Sequence, residues 1–323
     1  MKEKIFNLFY FVSNDVIPEL GVVVHEMDGT DSEKERFLRD SVNTDFGNAK
    51  RFQPPLRLCE TNKNRNLTVS HFMALERQGK CIEVFEEAFE KHDASRKPMF
   101  CITAIVDGIP KIESTSNHEP LIGSKLQEHA KLGSCVMDDY LEKYMTPQGF
   151  DLPLLINNDY LKAIKLLFNN HHYVSCMKLF VSLIDTMAFI EFGDMRDNFV
   201  KWLNDFANLN KVGITPSQLW ELRNSILHMS NLDSRKVLNG SEKRISFCVA
   251  ESGYVPEDDL EIQYFNLTDF IRVISEALSV WSSSYNDNPI KRTAFIERYD
   301  RIISDDRYVM AERSKDIEGL NKI

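Results

Sequence analysis

What this chain lacks already narrows its chemistry. None of its six cysteines (Cys59, Cys81, Cys101, Cys135, Cys176, Cys248) forms a C-x-x-C pair or a cluster at zinc-ligand spacing. That argues against a zinc-held fold or a dithiol redox centre and for reduced, mostly buried thiols of the cytosol. No apolar run approaches the roughly 20 residues that a membrane-spanning helix needs. The apolar stretch Ile5 to Val12 behind Lys2 and Lys4 is broken by Asn7 and runs into Asn14-Asp15. Without a small-residue cleavage site it does not read as a secretory signal. There is also no glycine-rich phosphate loop, no H-E-x-x-H helix and no G-x-S-x-G elbow, which removes P-loop, zincin and α/β-hydrolase chemistry. A basic half is missing too. Residues 1–150 carry 19 Lys and Arg against 24 Asp and Glu, and the remainder 20 against 25, for a net charge of −10. Such a chain makes few non-specific phosphate contacts, so any nucleic acid must be handled at a small focused site.

What remains is a globular composition: 43% hydrophobic residues, 27% charged, and 21 Phe to fill a bulky core. Residues 1–147 read as an N-terminal α/β or α+β domain. Leu20 to His25 and Phe100 to Val106 are β-branched runs of strand character. Between them Ser32 to Val42 reads as a helix with Ser32 as N-cap and Glu35 completing a capping box. Ile82 to His92 and Gln127 to Tyr144 read as further helices, and Asn62 to Asn66 as an exposed loop.

After Pro147-Gln148-Gly149 the pattern becomes helical. Tyr160 to Phe168, Cys176 to Ile190 and Arg196 to Leu209 each place apolar residues at helical spacing. Thr215-Pro216 then opens a fourth helix, the threonine as cap and the proline at the first helical position. Leu219, Leu222, Ile226 and Met229 form its buried stripe. Arg244 to Ala250 and Leu260 to Phe265 have strand character and suggest a hairpin turning at Gly253-Tyr254-Val255-Pro256. Leu267-Thr268 opens a last core helix. These patterns predict an all-α bundle over 148–288 with a small β-hairpin insertion, followed by a charged tail over 289–323, helical to Tyr308.

The fourth helix carries the candidate chemistry. Its run Leu219-Trp220-Glu221-Leu222-Arg223-Asn224-Ser225-Ile226-Leu227-His228-Met229 sets an arginine, an asparagine and a histidine in an otherwise apolar segment. Arginine grips phosphate with a permanently charged planar fork. Histidine transfers protons near neutral pH. An Arg followed five or six residues later by His is a cheap pattern, since Arg65 and His71, six apart, also match it in a polar stretch. On a regular helix, residues five apart sit about 140° around the axis, so Arg223 and His228 do not share a face, whereas Asn224 and His228 do. A working pair therefore needs a bend, a second helix or a two-fold mate. The plainer alternative makes Arg223 the partner of an acidic neighbour and His228 a polar helix terminus. His171-His172 reads as an exposed turn, and His25 follows a strand with no partner evident in the sequence.

Leu222-Arg223-Asn224-Ser225-Ile226-Leu227-His228 resembles the signature of the HEPN superfamily, helical nucleotide-binding and ribonuclease domains of bacterial defence and RNA processing. In that signature an Arg, usually followed by a polar residue, is separated from a His by four to six intervening residues. Ala163 to Leu167 and Tyr173 to Ile190 resemble the family's early helices, and Asp185 matches their acidic position. The resemblance covers roughly residues 155–285. It implies a dimerising bundle with a composite site and RNA cleavage without metal or cofactor. Within it His228 is general acid or base, Arg223 positions the phosphate, Asn224 orients His228 or binds RNA, and Asp185 restrains Arg223. RNA is then the substrate, a second copy the partner and a regulatory protein or antitoxin a further one, in the cytoplasm and away from membranes. Met229-Ser230 follows His228 where some toxin members carry a tyrosine, so regulation at that tyrosine is not implied. The competing expectation is a non-catalytic module of the same kind that dimerises or binds a nucleotide or partner.

Overall fold

The computed structural model describes residues 2–59, 66–115, 135–136, 139–146, 149–228, 232–257, 262–286, 288–302 and 310–311. The chain is mixed α/β and divides into two compact units, residues 1–137 with 309–323, and residues 138–308.

The first unit is built on a six-stranded sheet. Its strands are β1 (Glu3–Ser13), β2 (Val16–Met27), β3 (Lys50–Phe52), β4 (Leu67–Thr68), β5 (Met99–Val106) and β6 (Ile109–Thr115), in the order β3-β2-β1-β5-β6 with β4 also on β2. β1 and β2 are antiparallel around a tight turn at Asn14 and Asp15, both at positive φ, and β1 runs parallel to β5. The run Ile5 to Val12 is thus the central strand of the sheet. Ile5 through Phe9 are all buried because both faces are covered, so the polar-apolar alternation that betrays a half-buried strand is absent.

On one face Phe6, Leu8, Val22, Phe100 and Ile102 pack against Phe72 and Leu75 of α2 (Val69–Arg77) and Ala88 and Phe89 of α3 (Glu86–Lys91). On the other, Ile5 and Cys101 pack against Leu38 of α1 (Asp31–Asn48). α1 begins one residue before the expected start, and its cap lies two residues before the expected one. Thr30, not Ser32, caps it, and Glu33 closes the capping box, because Thr30 precedes the first turn that can reach back to its own backbone. The predicted loop over 62–66 lies largely outside the described residues; of the helix predicted over 127–144, Tyr140–Tyr144 is helical, but Cys135–Val136 instead pairs as a strand with Met310–Ala311.

In the second unit the short helices Tyr140–Tyr144 and Leu152–Ile156 are followed by α4 (Lys162–Asn169), α5 (Tyr173–Phe192), α6 (Asn198–Phe206), α7 (Pro216–His228), α8 (Arg235–Leu238), α9 (Leu267–Ser283) and α10 (Pro289–Ile302). A π-helical turn, Asn157–Leu161, leads into α4. α5 is the core helix: Cys176, Met177, Phe180, Val181, Leu183 and Ile184 have no exposed surface. It is also the one helix among the described residues long and apolar enough to cross a membrane, with half of its apolar window buried within the protein. Its C-terminus is tied down. Arg298 of α10 donates to the Ile190 and Glu191 carbonyls, while the Glu191 carboxylate accepts from Trp281 Nε1 at 2.8 Å and Tyr285 OH at 3.0 Å and pairs with Lys291 at 2.8 Å.

This unit corrects the expected all-α bundle with a hairpin insertion. β7 (Arg244–Cys248) and β8 (Ile262–Asn266) pair parallel, Arg244 opposite Ile262 and Cys248 opposite Asn266, and a short antiparallel pair joins Met145–Thr146 to Gly149–Phe150. The reason is one buried side chain. Asn266 Nδ2 donates to the carbonyls of Ala250, Glu251 and Tyr254, which holds the segment leaving β7 at the end where β7 stops. The chain must therefore travel back before β8 begins beside Arg244, and a hairpin cannot form. Asn266 also caps α9, accepting from the amides of Thr268 and Asp269, and the helix opens at Leu267 as the sequence reading expects.

Candidate functional site

α7 is placed by its cap and by both flanks. Thr215 Oγ1 accepts from the Gln218 amide at 3.1 Å and Gln218 Oε1 accepts from the Thr215 amide at 2.9 Å, a reciprocal cap with Pro216 just inside the first turn. Leu219, Leu222 and Ile226 are buried as the apolar spacing requires; Met229 lies outside the described residues. A polar flank is clamped by the segment around β7 and β8. Ser217 donates to Glu242 at 2.5 Å, Gln218 to Gln263 at 3.0 Å, and the buried Glu221 pairs with Lys236 of α8 at 3.2 Å. No residue of α7 between Pro216 and Leu227 is fully exposed. Its one half-buried stripe at helical spacing beyond the clamp is Trp220, Arg223, Asn224 and Leu227.

Arg223 is held on three sides. Its Nε donates to Asp185 Oδ2 of α5 at 2.7 Å, its Nη1 donates to Asn224 Oδ1 at 3.0 Å, and its guanidinium carbon lies 5.0 Å from the centre of the Trp220 ring. Trp220 is braced in turn by Phe199 of α6, ring centres 5.3 Å apart. The Arg223 and Asp185 side chains are 21% and 25% exposed, so water screens the pair and its contribution to stability is about 0.5–1 kcal/mol. Orientation matters more. With Nε and one hydrogen of Nη1 committed, the Nη1–Nη2 end of the fork remains, and Nη2 has no partner among the described residues. A planar fork fixed this way is suited to an oxyanion such as phosphate.

The four expected site residues separate. Arg223, Asn224 and Asp185 come together, with Asn224 accepting from Arg223. Asp185 lies on a half-buried line of α5 that also carries Lys178 and Ser182. His228 is the last residue of α7, its side chain outside the described residues. The helix between Arg223 and His228 is unbroken, so on a regular helix the two positions lie about 140° apart around its axis. Beyond α7, Tyr160 in the π-helical turn is 3.0 Å from Thr186, the neighbour of Asp185 on α5.

Of the second Arg–His pair, His71 is buried inside α2, and Arg65 lies outside the described residues. His171 and His172 form an exposed turn, His171 bonded to Tyr173 OH at 2.6 Å. His25 has a partner that its sequence position concealed. Its Nε2 is 2.7 Å from Asp45 Oδ2, which also accepts from the fully buried Asn7 Nδ2 at 2.7 Å, tying α1 to β1 and β2. Trp220 was legible as a neighbour of Arg223 three residues ahead on one helix face, a spacing that brings side chains into contact. Asp45, twenty residues from His25, had no such signal.

Among the described residues no group of three or more His, Cys, Asp and Glu side chains could hold a metal ion. Burial pushes the Cys81 thiol up to about 12 and the Cys176 thiol to about 11, so neither is a nucleophile near neutral pH. No protein-family model, curated protein or solved structure matches the chain.

Proposed function

We propose that this chain is a metal-independent endoribonuclease of HEPN type that works as a homodimer in the cytoplasm, in phage defence or a toxin system under the control of a partner protein. The observation that carries the reading is the pinned Arg223, whose open guanidinium end lies within the run Arg223-Asn224-Ser225-Ile226-Leu227-His228. In this mechanism a base removes the ribose 2′-OH proton and O2′ attacks the adjacent phosphorus. The 5′-oxygen then leaves with a proton from an acid, giving a 2′,3′-cyclic phosphate end. Arg223 stabilises the charge that builds on the non-bridging oxygens. His228 moves one of the two protons. Because the two residues diverge on α7, the acting pair is Arg223 of one copy with His228 of the other across a two-fold axis. Asn224 and Asp185 are positioning residues for Arg223.

The test is cleavage of RNA by the purified chain, reading out 2′,3′-cyclic phosphate ends. Arg223→Ala and His228→Ala are each expected to lower the rate by at least about 100-fold, and mixing the two variants is expected to restore part of it. Intact cleavage by His228→Ala overturns the reading.

One observation favours a second reading. Arg223 is already neutralised within its own chain by Asp185, the arrangement expected of a non-catalytic module that dimerises or binds a nucleotide or partner. That module predicts no RNA cleavage by the wild type and a functionally silent His228→Ala.

A further inference from the structure

Three tryptophans occur in the chain, and two are sealed in the core: Trp202 and Trp281 have no exposed surface. Trp220 is half-buried, on the stripe of α7 that carries Arg223 and Asn224. Its ring meets the Arg223 guanidinium on one side and is braced by Phe199, tilted 54° to it, so the indole is fixed before any ligand arrives. We propose that Trp220 is the base-stacking residue of this site: the nucleotide whose phosphate Arg223 grips lays its base, preferentially a purine, on the indole. The proposal rests on the ribonuclease reading for its substrate and adds the residue that selects the base.

Charge supplies the second argument. A chain of net charge −10 cannot hold RNA through many phosphate contacts, and Asp185 removes much of the attraction that Arg223 would exert. Affinity must then come from an uncharged source close to the phosphate. An aromatic face stacks any base, and a purine offers it the larger area. Stacking also rigidifies the nucleotide at the sugar and phosphate, where the proposed reaction occurs.

The chain reports on itself, because Trp202 and Trp281 form a buried fluorescent background. Short 2′-O-methyl oligoribonucleotides of a single base are the probes; lacking a free 2′-OH, they bind without being cut. Purine probes are expected to quench Trp220 emission more strongly than pyrimidine probes. In Trp220→Phe the response disappears, and purine-probe affinity measured by anisotropy falls roughly tenfold. In the cleavage assay, Trp220→Leu is expected to lose base preference at the cut phosphate. Absence of quenching at probe concentrations that saturate anisotropy, or equal quenching by all bases, overturns the proposal, as does a Trp220→Leu rate that falls equally for every sequence. Absence of both binding and quenching overturns it too. Quenching without cleavage of unmodified RNA leaves the stacking role standing and sinks the ribonuclease reading; cleavage without quenching does the reverse.

Discussion

Arg223 Nε and Asp185 Oδ2 lie 2.7 Å apart, joining α7 to α5 across 38 residues of chain. The contact neutralises a cation and at the same time fixes the plane of its fork. Asp185→Ala is therefore expected to cost no more than about 1 kcal/mol of stability while lowering RNA cleavage by roughly tenfold or more through misplacement of Arg223. Asp185→Asn, which keeps an acceptor for Nε, should recover part of the rate. Chemical denaturation and cleavage kinetics measured side by side check this; a rise in cleavage on Asp185→Ala would make Asp185 an inhibitor of Arg223 instead.

Glu191 presents the opposite balance. Its carboxylate accepts from Trp281 and Tyr285 and pairs with Lys291, and its side chain is only 13% exposed. Glu191→Ala leaves those partners unsatisfied, and a loss of about 3 kcal/mol is expected. Glu191→Gln, able to accept from Trp281 and Tyr285, should lose about half as much. Urea denaturation of the three proteins decides it, and equal midpoints would show that the cluster contributes nothing.

Asn266 should matter as much as a residue of the apolar core. It makes three donations to carbonyls of the segment after β7 and accepts from two amides of α9, with 1% of its surface exposed. Asn266→Ala is expected to destabilise the protein by about 2–3 kcal/mol and to release residues 250–254. Faster amide exchange there, slow elsewhere, is the signature; unchanged protection would refute it.

Alkaline pH should weaken the fold in two stages. Burial raises the Cys81 and Cys176 thiols, to about 12 and about 11, and burial followed by the Glu191 carboxylate raises the Tyr285 hydroxyl. A raised folded-state value means that the native chain keeps protons which the unfolded chain releases. The stability is fully present below the unfolded values, about 8.5 for thiols and about 10 for tyrosine, and is lost as pH climbs past them towards the folded ones. Denaturation midpoints should thus decline from about pH 8.5 and fall more steeply beyond about pH 10. In Tyr285→Phe the steeper part should flatten. Midpoints that hold constant to that pH would contradict the burial of these groups.

Much of the second unit was legible in the chain, and for local reasons. The Thr215-Pro216 start of α7, the apolar spacing of Leu219, Leu222 and Ile226, and the long run that became α5 depend on residues within a few positions of one another. The cap of α1 was misplaced by two residues because several neighbouring side chains could serve, and only the backbone path chooses among them. β1 escaped notice for a different reason: a strand covered on both faces loses the alternation by which strands are recognised.

By itself, then, the sequence determined which segments form α7 and α5, that Arg223 and Asn224 share a helix with His228, and that Arg223 and His228 leave it in different directions. Turn geometry and hydrophobic periodicity act over a handful of residues, so these follow without knowledge of the rest of the chain. Tertiary structure alone decided that β7 and β8 run parallel and that His25 meets Asp45. Each of those outcomes depends on which distant side chain packing delivers to a buried polar group that needs a partner, and spacing along the chain carries no record of it.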